Sequence, residues 1–266
     1  MPDRTILLTT HSPHIASVTP LESLVLLRSE DSPSHTTARS VVNSGLNKTD
    51  SDDLERYLDV TRGELLFAKG IILVEGVAEE YLVPVLARLL GHDLDELGIS
   101  VCSVAGTNFV PFAKLIGDKG LGIPFAIITD EDPQEGKQCL AHNRVATIVS
   151  HIDPKYNYSE DTKSLFGEAE NDGVFVTNDT LEIALFRCGR YKSMTRVINQ
   201  LSSNGEARKR AKGWKADPDS LDEAQFLKDV KEIGKGRFAQ RLSARISGNA
   251  CPDSIKKAVE HVIEKL

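Results

Sequence analysis

The sequence predicts an α/β fold in which helices flank a parallel sheet and a small helical subdomain follows it. Between residues 71 and 186, short apolar runs alternate with segments of helical periodicity, which is typical of βαβ units. Two of these runs end in clustered carboxylates, and open α/β sheets place their ligands at the carboxyl ends of their strands. After residue 186 the sequence is helical and basic, without a convincing strand.

The predicted elements before this region are short. Residues 5–10 (TILLTT) and 24–28 (LVLLR) are predicted strands, because each is a brief apolar or β-branched run next to polar residues. Val41 and Val42 are predicted to form an edge strand. Apolar residues at helical spacing predict a helix over residues 54–60, and a second short helix, 62–68, leads into the first acidic strand.

In the alternating region, the predicted strands cover residues 71–74, 99–104, 125–129 and 173–177, each an apolar run. The predicted helices cover residues 79–90, 109–116, 138–151, 163–170 and 181–186. Helix 79–90 has its apolar residues on one face, keeps Pro84 near its start and ends at Gly91.

Composition indicates a globular protein. Of 266 residues, 40% are hydrophobic and 27% charged, and no apolar run approaches the ~18 residues of a membrane span. Four scattered cysteines without a CxxC pair argue against a disulfide framework or a zinc site, and no secretory pattern is present. We therefore expect a cytoplasmic protein with no membrane partner. The net charge of −7 argues weakly against a general nucleic-acid coat but is compatible with an acidic nuclease site.

Carboxylates follow two of the predicted strands. Glu75 and Glu79 lie around the turn after strand 71–74, and Asp130 and Asp132 follow strand 125–129. Clustered carboxylate oxygens suit Mg²⁺, and two ions about 4 Å apart support phosphoryl chemistry. The alternative is that these are ordinary acids at helix N-termini, stabilised by the helix dipole. Their repetition after two strands favours a metal site. The acids beside them are predicted to face solvent: Glu80 and Glu131.

Taken together, these motifs resemble the Toprim domain, a metal-dependent fold of topoisomerases, primases and some nucleases. The stretches LLFAKGIILVEGVAEEYLVPVLA, SVAGTNFVPFAKL, TDEDP and TLEIAL are more closely similar to the OLD (overcoming lysogenization defect) nucleases, in which an ABC-type ATPase precedes a Toprim nuclease. The resemblance implies DNA cleavage by two-metal catalysis with Mg²⁺ or Mn²⁺, and ATP dependence and phage defence for a full-length protein. The metal ligands that it implies are Glu75, Glu79, Asp130, Asp132, Thr180 and Glu182.

Three further positions have competing interpretations. Thr180 fits a helix N-cap and Glu182 a helix N-terminal acid, although the preceding strand would bring both to the acidic sheet edge. The resemblance favours the metal role for this pair. Lys235, flanked by glycines in GKGRF, is either a solvated turn residue or a cation that stabilises transition-state charge. The predicted catalytic residues are Glu75, Glu79, Asp130, Asp132 and Lys235.

A basic run follows the alternating region and ends near Trp214. Residues 187–215 are rich in Lys and Arg and contain one acid, Glu206. Such a run either contacts the phosphate backbone or forms a solvated helix face. DNA contact is favoured because an acidic nuclease needs a basic approach surface. The predicted DNA-binding residues are Arg187, Arg190, Arg208, Lys209, Arg210, Lys212 and Arg237.

The segment Thr10-His11-Ser12-Pro13 resembles the switch-histidine strand end of ABC-type ATPases, where the histidine contacts the nucleotide γ-phosphate. A surface loop histidine is the alternative. No G-x-x-x-x-G-K-[ST] motif occurs, so we expect no complete ATP site. We predict an ATPase remnant over residues 1–61, a Toprim catalytic domain over 62–188 and a basic helical subdomain over 189–266. The ATPase part offers a route to self-association in a longer protein.

The sequence therefore predicts a metal-dependent endonuclease that hydrolyses DNA phosphodiester bonds by a two-metal mechanism and nicks or cuts the duplex. Two alternatives stay open: a primase-like nucleotidyl transferase, and a non-catalytic DNA- or partner-binding module with one structural metal. Metal-dependent cleavage of a plasmid separates them, because only the nuclease yields nicked or linear product.

Overall fold

The computed structural model describes residues 6–29, 35–58 and 63–266 of the chain. Near the start of the chain, β1 (Val25–Ser29) and β2 (Thr36–Ser40) form a small antiparallel hairpin. The helices, in chain order, are α1 (Pro13–Ser17), α2 (Lys48–Tyr57), α3 (Val77–Leu89), α4 (Leu94–Leu97), α5 (Val110–Ile116), α6 (Leu140–Ile152), α7 (Thr162–Ala169), α8 (Leu181–Leu185), α9 (Tyr191–Leu201), α10 (Gly205–Ala216), α11 (Glu223–Ile233), α12 (Lys235–Ser243) and α13 (Asp253–Glu264).

The centre of the molecule is a four-stranded parallel sheet with the strand order β4-β3-β5-β6. Its strands are β3 (Gly70–Val74), β4 (Ile99–Ser103), β5 (Phe125–Asp130) and β6 (Val174–Thr177). Every residue of β3 is buried, which explains its uninterrupted apolar sequence, since parallel strands are covered on both faces. The predicted α/β class with a parallel sheet flanked by helices is confirmed.

Alternate side chains of the sheet enter two separate hydrophobic clusters. Ile72 and Val74 of β3 belong to a cluster that includes side chains of α3, α9, α12 and α13. Ile71 and Leu73 of the same strand point to the opposite face, where they belong to a cluster with side chains of α5, α6 and α7. The period of two along β3 thus builds two helical layers, one on each face.

The last helix, α13, covers one face of the sheet by packing on β3, β5 and β6. A Cβ atom at Gly70 would lie 2.5 Å from Val262 Cγ1, so glycine allows this close approach of helix and strand. Ile255 and Val259 of α13 share one cluster with Ile72. The hydrophobic core therefore runs across the predicted boundary between residues 188 and 189.

The structure corrects the predictions for the first sixty residues. Residues 6–10 form no strand, and Ile6, Leu7 and Leu8 are exposed, because no described strand pairs with them; Thr5 lies outside the described residues. Val41 and Val42 begin a tight helical turn (Val41–Asn43) instead of an edge strand, and the Ser40 side chain caps it by accepting from the Val42 N–H.

Helix α2 begins at Lys48, before the predicted start at residue 54. Asn47 and Asp50 form a reciprocal capping box, which satisfies the free N–H groups of the first turn. The last two residues of the predicted helix, 59 and 60, lie outside the described residues, as does residue 62 at the start of the next. In the described ranges, no helix has the length and apolar character needed to cross a lipid bilayer.

Candidate metal centre

The parallel register brings the carboxyl ends of the four strands to one edge of the sheet. Val74 of β3 lies opposite Ser103 of β4, and Asp130 of β5 lies opposite Thr177 of β6. Glu75 directly follows β3, so the two acidic strand ends predicted from the sequence are neighbours in space. Crevices outside this edge are the ligand sites of open α/β sheets.

Glu75 is held in one orientation by three donors. Its Oε1 atom accepts from Thr129 Oγ1 at 2.5 Å, from the Asp130 backbone N–H at 3.0 Å and from Arg144 NH1 at 2.7 Å. These bonds tie the turn after β3 to the end of β5. One carboxylate oxygen is committed to the protein, whereas the other has no protein donor among the described residues.

Glu79 lies in the first turn of α3, whose N-cap is Gly76. Its residue surface is only 9% exposed. The pKa of Glu79 is raised to about 7, mainly by burial; the charges of Glu182 and Glu75 add to the rise, and a backbone hydrogen bond opposes it. A cation beside this carboxylate would therefore be strongly favoured.

Asp130, the last residue of β5, is also 9% exposed. Burial raises the pKa of Asp130 to about 9, with further contributions from Glu79, Glu75 and Glu182 and then from Asp132. The mutual repulsion shows that these acids form one cluster. Buried carboxylates that cannot all ionise are typical of functional sites.

Lys235 and Glu182 close the other side of the cluster. Lys235 Nζ lies 3.2 Å from Glu182 Oε1 and 3.3 Å from its Oε2, and Glu182 is 4% exposed. Burial disfavours the charged form of Lys235, but the carboxylates of Glu182, Asp130 and Glu79 outweigh it and raise the Lys235 pKa. The structure thus brings Lys235 to the acids, although it starts α12, far along the chain.

Thr180 is the N-cap of α8, and its side chain accepts from the Ile183 N–H at 3.5 Å. This is the capping role that the sequence left open as the alternative. A metal role for Thr180 stays a prediction. The cap sets the start of α8 and thereby the position of Glu182 in its first turn.

Sequence reasoning missed two residues of the site, Arg144 and Thr129. Arg144 NH2 donates to Asp132 Oδ2 at 2.8 Å, while NH1 contacts Glu75 and the Asp130 carbonyl oxygen. The sequence carries a trace of this role, because Arg144 interrupts the apolar face of α6 three residues after Ala141. Thr129 gives no comparable signal, since threonine is common in strands.

The acids predicted to face solvent are instead bonded to the backbone. Glu80 Oε1 accepts from the Ser103 N–H at 2.6 Å, and Glu131 Oε2 accepts from the Asp179 N–H at 3.5 Å. The prediction for Glu80 and Glu131 was wrong because both fix turns at the sheet edge. Asp179 itself has φ 61° and Asp132 has φ 50°; such left-handed backbone in non-glycine residues often accompanies functional sites.

The predicted DNA-binding residues divide by exposure. Arg190 is buried and donates to the carbonyl oxygens of Ser247, Gly248 and Ala250. No phosphate can reach it there, so Arg190 is withdrawn from the set. The exposed members are Arg187, Arg208, Lys209, Lys212 and Arg237.

Two members of the set are bonded to acids. Arg210 donates two hydrogen bonds to the buried Asp229, and Arg187 bridges Asp179 and Glu223. Trp214, at the end of the basic run, lies in the hydrophobic core. His11, the predicted nucleotide contact, is exposed just before α1.

In this conformation the acids do not form a complete set of ligands around one metal position. No three Asp, Glu, His or Cys side chains of the described residues converge closely enough to surround an ion. Two cations pair with these acids and thereby contribute to their separation. Arg144 forms ion pairs with Glu75 and Asp132, and Lys235 forms one with Glu182.

The geometry agrees with comparisons to known proteins. Residues 66–132 match the family model "Overcoming lysogenization defect protein-like, TOPRIM domain". The C-terminal region of the Burkholderia pseudomallei OLD protein is 39% identical, with a TM-score of 0.71 over 75% of this chain and 98% of that one. The chain belongs to the OLD family. The corresponding region of the Xanthomonas campestris OLD protein is 40% identical, with a TM-score of 0.68 over 75% of this chain and 96% of that one.

Two curated relatives are longer than this chain. The OLD nuclease of Thermus scotoductus is 34% identical over 137 residues, which are 48% of this chain and 24% of that protein. The uncharacterized protein YbjD of Escherichia coli K12 is 33% identical over 133 residues, which are 50% of this chain and 23% of that protein. The aligned part thus spans about a quarter of either relative. One of these two relatives is named as a nuclease, and Toprim domains generally use divalent metal ions.

Proposed function

We propose that this OLD-family protein is a metal-dependent endonuclease that hydrolyses DNA phosphodiester bonds with two divalent ions, Mg²⁺ or Mn²⁺. The observation that carries the proposal is the group of buried acids at the carboxyl edge of the sheet. Asp130 and Glu79 have pKa values of about 9 and about 7 because they are buried among other acids. Bound cations relieve this repulsion.

The ligand chemistry fits hard divalent ions. The donors are carboxylate oxygens from separate elements: Glu75 after β3, Asp130 at the end of β5 and Glu182 in α8. Mg²⁺ and Mn²⁺ prefer such oxygens, whereas zinc sites more often use sulfur and imidazole nitrogen. Rigid strand ends fix these ligands better than loops would.

The positions of the two basic side chains in the site support two metal-ion positions. Arg144 neutralises Glu75 and Asp132 at one end of the cluster, and Lys235 neutralises Glu182 at the other. Asp130 is electrostatically coupled to acids at both ends. A carboxylate shared between two charge centres is the arrangement that paired-metal phosphoryl chemistry uses.

Divalent ions bound here would polarise the phosphodiester and make a water molecule a better nucleophile. The Lys235 side chain is 51% exposed and forms an ion pair with Glu182. Its other N–H donors can therefore stabilise charge on a phosphate oxygen in the transition state. Glu75 stays correctly oriented through Thr129 and the Asp130 N–H.

DNA as the substrate is supported by exposed cations on two helices of the C-terminal part of the chain. Arg237 is exposed and shares α12 with Lys235, while Arg208, Lys209 and Lys212 are exposed on α10. Phosphate contacts by such residues position a nucleic acid without reading its sequence.

The decisive experiment is cleavage of supercoiled plasmid DNA with Mg²⁺ or Mn²⁺. Nicked or linear product that is absent in EDTA supports the proposal, and Asp130→Asn should abolish it while circular dichroism shows an intact fold. Binding of metal without any cleavage would refute the nuclease, and incorporation of nucleotides would favour the primase-like alternative. Cleavage that survives in Asp130→Asn would refute this site.

A further inference from the structure

Arg144 is a largely buried cation at one end of the acid cluster. Its side chain is 12% exposed. NH1 donates to Glu75 Oε1 at 2.7 Å and to the Asp130 carbonyl oxygen at 3.0 Å, and NH2 donates to Asp132 Oδ2 at 2.8 Å. The two nitrogens thus hold acids from two different strand ends, a fork geometry that guanidinium groups provide.

The two acids depend on Arg144 to different degrees. Glu75 keeps Thr129 Oγ1 and the Asp130 N–H as donors without it. Among the described residues, Arg144 is the side chain that the Asp132 carboxylate contacts. Asp132 also has left-handed backbone, φ 50°, so its side chain is presented from a strained turn.

We propose that Arg144 is the internal counter-cation of the metal site: it holds Asp132 in the metal-free protein and releases it when a divalent ion binds. The inference rests on the proposed metal-dependent function. Arg144 is then a positioning residue that competes with the metal ion for one ligand and remains anchored through its other contacts.

Electrostatics requires this competition. Arg144 presents a positively charged guanidinium group to the Asp132 carboxylate. A divalent ion on Asp132 would lie next to that fixed positive charge, and like charges at this separation repel strongly in a half-buried site. The ion therefore binds fully only when the NH2 group moves off Asp132 Oδ2.

After a metal ion has replaced Arg144 at Asp132, Arg144 keeps other hydrogen-bond partners. Its NH1 contacts with Glu75 and the Asp130 carbonyl oxygen do not involve Asp132. The guanidinium can turn about these anchors without leaving the site. The competition thus needs a side-chain rotation only, and the strands that carry the acids stay in place.

The competition predicts an effect that a purely structural role would not produce. Removal of a structural residue weakens a metal site, whereas removal of a competitor strengthens it. Contacting charged residues couple strongly enough to change an affinity about tenfold. We therefore expect Arg144→Met to bind Mn²⁺ roughly tenfold more tightly than the natural protein.

The experiment is calorimetric titration of Mn²⁺ into EDTA-stripped protein, without DNA, for the natural protein and for Arg144→Met and Arg144→Lys. Lysine keeps the charge but loses the fork, so its affinity should lie between the other two. Arg88→Met is the matched control, because it removes one cation that pairs with Asp93 at 3.1 Å outside the site; its Mn²⁺ affinity should equal that of the natural protein.

Thermal unfolding gives a second readout. In EDTA, Arg144→Met should melt at a lower temperature than the natural protein, and added Mn²⁺ should raise its melting temperature by a larger increment. Equal or weaker Mn²⁺ binding by both Arg144 variants would overturn the inference; if Arg144→Met does not fold, Arg144→Lys decides alone. A natural protein that binds no Mn²⁺ or Mg²⁺ would instead remove the proposed function, and the inference with it.

Discussion

Lys235 and Glu182 are 53 residues apart in the chain, yet the Lys235 ammonium lies 3.2 Å from a carboxylate oxygen of Glu182. The pair joins the start of α12 to the first turn of α8. Glu182 is almost fully buried, and a buried carboxylate needs a paired cation. Half of the Lys235 side chain remains exposed, so the same residue can also meet a substrate phosphate.

Replacement of Lys235 by Met should therefore reduce the cleavage rate about a hundredfold or more, because a preorganised cation at the developing charge is removed. DNA affinity should change little, since one phosphate contact is a small part of the total. Single-turnover cleavage and DNA binding in Ca²⁺ separate the two quantities. Lys235→Arg keeps the charge and should recover part of the rate; equal rates for Lys235→Met and the natural protein would exclude the catalytic role.

Glu79 and Glu80 offer a matched pair of neighbouring acids with different roles. Glu79→Gln should abolish metal-dependent cleavage, because Glu79 belongs to the buried acid cluster. Glu80→Gln should retain cleavage but lose about 1 kcal/mol of unfolding free energy, since a charged acceptor for the Ser103 N–H is replaced by a neutral one. Urea unfolding and plasmid cleavage measure both variants, and the reverse pattern would contradict the assignment.

The raised pKa of Asp130 predicts how metal-free stability depends on pH. The folded pKa is about 9 against an ordinary value of 3.8, so between these limits the folded state binds more protons than the unfolded state. Stability then falls as pH rises through this window. Asp130→Asn removes this effect and should stabilise the metal-free protein at pH 8 by at least about 1 kcal/mol.

The stabilisation by Asp130→Asn should be smaller at pH 5. This pH lies only about one unit above the ordinary pKa of the unfolded carboxyl, so little of the loss of stability has built up there. Urea unfolding in EDTA at both pH values measures the difference. An equal gain at pH 5 and pH 8 would show that the ionisation of Asp130 is not its source. Glu79→Gln should behave similarly over a narrower range, because the pKa of Glu79 rises only to about 7.

The exposed cations of α10 predict a salt-dependent contribution to DNA binding. Replacing Arg208, Lys209 and Lys212 together by Gln should reduce the slope of log affinity against log salt by up to about three, roughly one for each phosphate that is no longer neutralised. Lys256→Gln on α13 is a control for an exposed lysine outside this helix. An unchanged slope in the triple variant would remove α10 from the DNA-binding surface.

The sequence predicted the architecture of the sheet and the acids at its edge because both depend on local patterns. Strand β3 is a continuous apolar run and Glu75 follows it directly, so the parallel register alone brings it near Asp130. The first sixty residues were less predictable: an isolated apolar run such as residues 6–8 has no partner strand to fix it among the described residues.

The cations of the site depend on tertiary packing, which sequence patterns do not report. Arg144 reaches Glu75 from 69 positions further along the chain, and nothing in its local sequence marks the distant acid. Arg190 shows the opposite error: a basic run suggested a surface residue, whereas Arg190 is buried and its guanidinium donates to the carbonyl oxygens of Ser247 and Gly248. The sequence gives the charge of a side chain directly, whereas the partner of that charge is set by the tertiary fold.

The position of α13 has a consequence for how the protein is made. The sheet is complete in sequence at Thr177, yet one of its faces is covered by a helix that begins only at Asp253. During synthesis on the ribosome, α3 follows β3 directly and joins the same hydrophobic cluster, but the part of that face that α13 covers stays exposed until this helix has been made. The helical layer on this face of the sheet is therefore completed late, when α13 packs against β3, β5 and β6.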